Sequence, residues 1–255
     1  MCHHCFHTCG DASSAAYPAK ATQVLGILSL DTQFPRIPGD VGAPETFAFP
    51  VRLATVEGAN VDAIVHRHDD ALLTRFGDAA RALGAAGCLG VTTTCGFLVR
   101  WQQALARAAG VPVLTSALLQ LPVIARCVAP GRRVGVVTYS APDLTSATLA
   151  AAGADIDTPI QGVDPDGYFA NTIRHGRATL DRALMAADVI AAGQRLMTRH
   201  PDMGAIVLEC ANMPPYRDAV ATALGLPVFD ATHAIAWFYS GLPGTAPRYG
   251  RSNLW

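Results

Sequence analysis

The chain repeats itself. Ala109-Gly110-Val111-Pro112-Val113-Leu114 and Leu224-Gly225-Leu226-Pro227-Val228-Phe229 match at an offset of 115 residues, and the same offset carries Cys95 onto Cys210. Each cysteine closes a short apolar run, and each precedes a segment of helical period that ends at the matched Gly-x-Pro-Val. Self-similarity at a fixed offset constrains the fold more than any single residue does, because one solution must bury both copies. Two similar half-molecules are therefore expected. The rival is a chance likeness between α/β units of similar composition, which would have to place two independent features at one offset.

Short β-branched runs alternate with longer amphipathic segments, the pattern of an α/β protein whose parallel sheet is covered on both faces. Strands are predicted at Gln23–Leu30, Cys88–Thr92, Val111–Leu114, Arg133–Thr138, Gly204–Leu208 and Leu226–Phe229. Val61, Ile64, Val65, Leu72, Phe76, Ala80 and Leu83 recur at three- and four-residue steps, so one helix is expected there, and residues 171–199 read likewise. Val128-Ala129-Pro130-Gly131-Arg132 interrupts the helical pattern before a new strand. The expected organisation is a tail over 1–20, one α/β domain over 21–130, a second over 131–234, and a segment over 235–255 returning to the first.

Composition removes several functional classes. Of 255 residues 15% are charged and the net charge is -1, so no positive field collects phosphates; nucleic acid and membrane partners are not expected, and a small molecule is. No apolar run approaches the ~18 residues of a spanning helix. The absence of a basic start followed by an apolar stretch, with seven cysteines, reads as an unexported protein of a reducing cytoplasm. Among 19 basic residues Lys20 is the sole lysine, flanked by alanines, which disfavours pyridoxal Schiff-base chemistry and a Walker A loop. Neither Gly-x-Gly nor Gly-x-Ser-x-Gly occurs, so dinucleotide and serine-hydrolase chemistry recede as well.

In an open parallel sheet, ligands bind beyond the carboxyl ends of the strands, where Cys95 and Cys210 fall. A thiol at a helix N-terminus has its thiolate stabilised, so both are expected to have a pKa lowered toward neutrality and to serve as bases. Two such thiols across a cleft could remove a proton from one face of a ligand and return one to the other. Taken alone, either cysteine is equally a small buried hydrophobe.

Gly90-Val91-Thr92-Thr93-Thr94-Cys95-Gly96-Phe97 and Leu208-Glu209-Cys210-Ala211-Asn212-Met213-Pro214-Pro215-Tyr216, with Leu30-Asp31-Thr32 through Asp40, resemble the aspartate/glutamate/hydantoin racemase superfamily over roughly residues 22–235. The resemblance implies two Rossmann-like domains related by a pseudo-twofold, an active site in the cleft between them, no cofactor, and Cys95 and Cys210 as paired acid and base. A homodimer is common among the proteins it resembles. Glutamate racemases carry Cys-Asn-Thr and Cys-Thr, where this chain has Cys95-Gly96-Phe97 and Cys210-Ala211-Asn212. Thr93, Thr94 and Asn212, with backbone N–H groups of Gly96, Phe97 and Ala211, are candidates to hold a carboxylate instead.

Arg36 could clamp a second carboxylate or pair with Asp40 or Glu45 to hold its loop. Asp31 and Thr32 occupy a strand end that touches ligand in the superfamily, and Asp31 could equally cap its loop. Tyr139 and Ser140 are their counterparts in the second half, with a turn cap as the rival. His233 could assist proton transfer or be an ordinary satisfied histidine. Cys2, His3, His4, Cys5, His7 and Cys9 are metal-ligand types, but no second ligand pair follows, so a tail without metal is the reading. The function expected is a cofactor-independent racemase or epimerase of an amino acid or close derivative. The alternatives are an enzyme resembling maleate isomerase, with a cysteine nucleophile, and a non-catalytic metabolite-binding protein.

Overall fold

A computed structural model describes residues 23–176 and 178–245. The Cys/His-rich stretch at residues 2–9 and the last ten residues of the 235–255 segment lie outside the described residues. Among the described residues eight strands form two all-parallel four-stranded sheets. The first comprises β1 (Leu25–Leu30), β2 (Val51–Val56), β3 (Gly90–Thr93) and β4 (Val113–Leu114), in the order β2-β1-β3-β4. The second comprises β5 (Arg133–Thr138), β6 (Ile160–Gly162), β7 (Met203–Leu208) and β8 (Val228–Phe229), in the order β6-β5-β7-β8. The two orders are the same, as the repeat implied.

Covering helices are α1 (Leu73–Ala85), α2 (Gln102–Ala109), α3 (Leu121–Cys127), α4 (Ser146–Ala151), α5 (Tyr168–His175), α6 (Arg182–Arg199), α7 (Arg217–Leu224) and α8 (Ala231–Ser240). Both central strands carry a glycine where a helix approaches. A Cβ on Gly26 of β1 would sit 2.9 Å from Leu83 of α1, and one on Gly135 of β5 would sit 2.7 Å from Leu196 of α6. Leu83, Leu196 and Phe76 are thereby almost wholly buried, each contributing about 1.5–3 kcal/mol of apolar transfer energy. The repeated glycines end matching helices: Gly110 after α2 and Gly225 after α7 take φ of 67° and 64°, a left-handed cap that only glycine adopts without strain.

Two helical expectations are corrected. The stripe from Val61 to Leu83 is not one helix: a π-turn at Asp62–His66 and a 3-10 turn at Asp70–Leu72 precede α1. The break lies at His68, whose φ is +49°, and Asp69 caps the next turn by accepting from the Ala71 N–H. The 171–199 segment is likewise split, by left-handed Gly176 after α5 and by Asp181 capping α6.

The last helix, α8, follows β8 and lies against the first sheet. The Tyr239 hydroxyl donates to the Gln23 carbonyl at 2.8 Å, and its ring stacks on Phe49 at 3.6 Å between centroids. No helix among the described residues is long and apolar enough to cross a membrane.

Candidate active site

β3 delivers Cys95, which precedes a 3-10 turn at Gly96–Trp101, and β7 delivers Cys210, two residues past its end. Both thiols line one narrow pocket of roughly 30 Å³, room for about one water. Leu30, Thr94, Phe97, Tyr139, Ala211 and Asn212 share its wall, together with Val61, Val65, Gly96, Ile173 and Glu209. Parallel-sheet topology explains the convergence: in each half the cysteine follows the third strand of the same sheet order, at its carboxyl end, where a loop turns.

Outside lies an open cleft of roughly 470 Å³, lined by Asp31, Thr32, Asn60, Asp62, His66, Arg174 and His175. Val61, Tyr139 and Ile173 line both spaces, so they stand between the thiols and the wider cleft. Across the mouth, His66 Nδ1 of the first half meets Asp143 of the second at 2.7 Å.

The thiols are not tuned as expected. Burial, then the nearby Glu209 carboxylate, pushes Cys95 up to about 12, against the opposing influence of the Phe97 N–H, Arg100 and Arg36. Burial and Glu209 also hold Cys210 well above the ordinary thiol value, helped by Cys95 and Asp40, with the Asn212 N–H opposing. The expected lowering by a helix end is therefore corrected: loss of water and a buried carboxylate outweigh a short 3-10 turn. The two sites differ in charge. Cys95 has two guanidiniums in its surroundings, while the Cys210 thiol donates to Asn212 Oδ1 at 3.5 Å and faces no cation of comparable influence.

The other expected site residues divide into groups. Thr94, Gly96, Phe97, Tyr139, Ala211 and Asn212 stand at the thiols. Thr94 accepts from the Leu30 N–H at 3.0 Å, leaving its own proton to donate. Asp31 and Thr32 line the outer cleft, where Asp31 also accepts from the Gly58 N–H. The Thr93 hydroxyl is engaged by the Thr115 carbonyl at 2.7 Å. Arg36 pairs with Asp40 at 3.0 Å and donates to Thr32 at 2.8 Å, while Asn212 Nδ2 donates to Asp40 at 2.6 Å. Ser140 donates to Asp143, and His233 bonds Arg217 at 2.8 Å; neither lines the thiol cavity or the cleft outside it.

Glu209 was missed. Its signal was a carboxylate directly after the apolar run Ala205–Leu208, where an acid is costly unless it has a task. It is 1% exposed; Oε2 accepts from the Thr138 hydroxyl at 2.7 Å, and Oε1 has no hydrogen-bond partner. Burial raises its pKa from 4.5 to about 7, against the Thr138 and Tyr139 hydrogen bonds. Among the described residues no cluster of three His, Cys, Asp or Glu side chains is arranged to hold a metal ion.

Two parallel-sheet halves with a thiol from each in one cleft define a class, and the chain carries the fold of the aspartate/glutamate/hydantoin racemase superfamily. Unliganded arylmalonate decarboxylase superposes with a TM-score of 0.58 at 18% identity, over 88% of this chain and 94% of that one. Allantoin racemase from Klebsiella pneumoniae gives 0.56 at 19% identity, over 85% and 86%. Aspartate racemase from Picrophilus torridus gives 0.54 at 13%, over 86% and 93%. No family model matches the sequence.

Curated relatives are of another reaction class. The chain is 27% identical over 235 residues to a dimethylsulfoniopropionate lyase from Durusdinium sp. clade D, covering 89% of this chain and 77% of the relative. It is 28% identical to dimethylsulfoniopropionate lyase 7 of Emiliania huxleyi, covering 90% and 70%. Against lyase 5 of Emiliania huxleyi it is 30% identical over 87% of its length, but spans only 46% of that protein. These relatives overturn the expectation of an amino-acid racemase or epimerase, and with it the isomerase class and a place in amino-acid metabolism. The thiol pair suits either chemistry. A base beside a carboxylate can begin racemisation or elimination, and only the ligand's leaving group separates them.

Proposed function

We propose that this chain is a lyase that cleaves dimethylsulfoniopropionate or a close β-sulfonio carboxylate by elimination, with Cys95 as base. The observation that carries the reading is that Cys95 and Cys210 line a single narrow pocket just past the ends of β3 and β7. Thiolate Cys95 removes a proton from the carbon next to the carboxylate and becomes a thiol. The released electron pair forms the carbon–carbon double bond, and the carbon–sulfur pair leaves with sulfur. The products are acrylate and neutral dimethyl sulfide.

A neutral sulfide needs no proton on departure, so one base suffices. The charge asymmetry favours Cys95 for it, since Arg36 and Arg100 oppose the rise in its pKa, whereas Cys210 is held as a donor by Asn212. Thr94, whose proton is free, is then placed to donate a hydrogen bond to the carboxylate, where negative charge grows in the transition state, and Cys210 joins it by turning its S–H from Asn212 to the substrate. Tyr139 and Phe97 offer aromatic surface to the sulfonium methyls. A one-water pocket is too small for this substrate, so Val61, Tyr139 and Ile173 must move for it to reach the thiols.

The test is incubation with dimethylsulfoniopropionate, following dimethyl sulfide in the headspace and acrylate by proton NMR. Both products are expected in equal amounts. Cys95→Ser is expected to abolish them, while Cys210→Ser slows the reaction without abolishing it. Loss confined to Cys210→Ser would reverse the assignment, and no product from the wild type would end the lyase reading.

A further inference from the structure

Glu209 links the two thiol loops, and the lyase chemistry above leaves it without a task. It belongs to the second half, yet its side chain presses on the first: a Cβ on Gly96 would overlap Glu209 Oε1 and would stand 2.8 Å from the Glu209 carbonyl oxygen. Residue 96 is a glycine with no left-handed φ to explain it, so the close approach of this acid is the reason. Oε2 is satisfied by Thr138, whereas the buried Oε1 makes no hydrogen bond. A buried acceptor left unpaired is rare, and Glu209 lines the same pocket as both cysteines, as well as a smaller one with Thr93, Thr115 and Ser116.

We propose that Glu209 is a positioning residue for the proton of Cys95: its free oxygen takes the thiol proton when substrate binds, so that the base forms inside a closed site. The inference rests on the lyase reading for its chemistry, though not for its test. No hydrogen bond joins the Cys95 thiol to Glu209 Oε1 in this structure, so closure around the substrate must first bring the two together; in the priming step the S–H bond of Cys95 then breaks and an O–H bond forms on Glu209 Oε1. The negative charge moves from carboxylate to thiolate, and no co-reactant is needed. The thiolate then takes the substrate proton, and the Glu209 proton returns to solvent when the site opens.

Electrostatics supports a single shared charge. Cys95 and Glu209 are buried with the half-buried Cys210 beside them, and Glu209 raises both thiols, so near neutrality one negative charge is the most the trio holds. Around Glu209 itself stand the two thiols, the Thr138 hydroxyl and the Tyr139 N–H. The charged groups acting on the thiols are Arg36 and Arg100, which favour the thiolate of Cys95, and Asp40, which disfavours that of Cys210. A bound sulfonium beside Cys95 would favour the charge there rather than on Glu209.

The test is a pH titration of thiolate ultraviolet absorbance in the wild type and in Glu209→Gln, each read as the difference from the same protein carrying Cys95→Ser, with turnover of dimethylsulfoniopropionate measured alongside. Glu209→Gln is expected to lower the Cys95 thiolate midpoint, by at least about tenfold in acid constant, because a repelling charge is gone. Turnover near neutral pH is nevertheless expected to fall about 100-fold and to recover as pH rises, because the internal acceptor is gone too. A more acidic thiol in a slower enzyme is a combination that a structural role does not produce.

An unmoved thiolate midpoint, or wild-type turnover in Glu209→Gln, overturns the proposal. If the wild type does not cleave the substrate, the lyase reading fails, and the midpoint alone then decides the Glu209–Cys95 coupling. If Glu209→Gln does not fold, the wild type serves: at pH 8, above the Glu209 pKa of about 7, binding of a sulfonium carboxylate that cannot eliminate is expected to bring up the infrared C=O band of a protonated carboxyl, and not in Cys95→Ser. No such band in the wild type overturns the proposal.

Discussion

Gly96→Ala tests the contact on which the geometry of the site depends. Gly96 does not have a positive φ, so alanine meets no backbone penalty there, and the whole effect is steric. The new methyl would lie 2.8 Å from the carbonyl oxygen of Glu209, roughly 0.6 Å inside ordinary contact, and would overlap its carboxyl oxygen. The carboxyl can swing aside, but the carbonyl belongs to the end of β7 and cannot. The two thiol loops must therefore separate, at an overpacking cost of about 1–3 kcal/mol. Displacement of this size moves Cys95 relative to Cys210, and misplacement approaching 1 Å costs on the order of 100-fold in rate. Urea unfolding and product formation on the same preparation measure both. Full turnover with unfolding within about 0.5 kcal/mol of wild type would refute the close approach of the halves.

Stability should depend on pH through Glu209. Its folded pKa, about 7, lies above the ordinary 4.5, so its contribution is fully present below 4.5 and is lost as pH rises through 7; the change is on the order of 3 kcal/mol and should vanish in Glu209→Gln, as urea melts at several pH values would show. Gly110→Ala and Gly225→Ala meet open space but a left-handed φ, so each is expected to cost about 1 kcal/mol in thermal or urea melts and to leave turnover unchanged. Asn212→Ala removes the 2.6 Å donor to buried Asp40 and the acceptor of the Cys210 thiol; a loss of about 1–3 kcal/mol is expected in melts, with a larger fall in turnover than in Gly110→Ala.

The strands most visible in the sequence were those buried on both faces. β5 begins and ends where expected, and β1 lies within the predicted Gln23–Leu30, because a central parallel strand is a continuous apolar run. β2 and β6 escaped because they are edges: Val51–Val56 is mostly exposed or half-buried, and Ile160–Gly162 is three residues long. The helix breaks at His68 and Gly176 were hidden because hydrophobic spacing continues across both. In the site, the thiol pair was legible through the repeat, which needs no knowledge of the ligand. Glu209 was not, since it has no repeat partner of its kind: the residue at the same offset is Thr94. The thiol pKa was misjudged for a related reason, as a helix end is visible in sequence while the water excluded by two facing halves is not.

The clasp formed by α8 has a mechanical consequence. The chain leaves the first half for the second through 128–132, where Ala129 to Arg132 are exposed, and returns to it at α8. The halves are also held by contacts that do not involve that crossing: α8 on the first sheet, Gln120 on the Asp230 carbonyl at 2.9 Å, Val41 on Ala211, and Asn212 on Asp40. A protease cut at Pro130-Gly131 should therefore leave two fragments that migrate together as one particle. Fragments expressed separately should reassemble by complementation, with each supplying one cysteine to a site that neither can form alone.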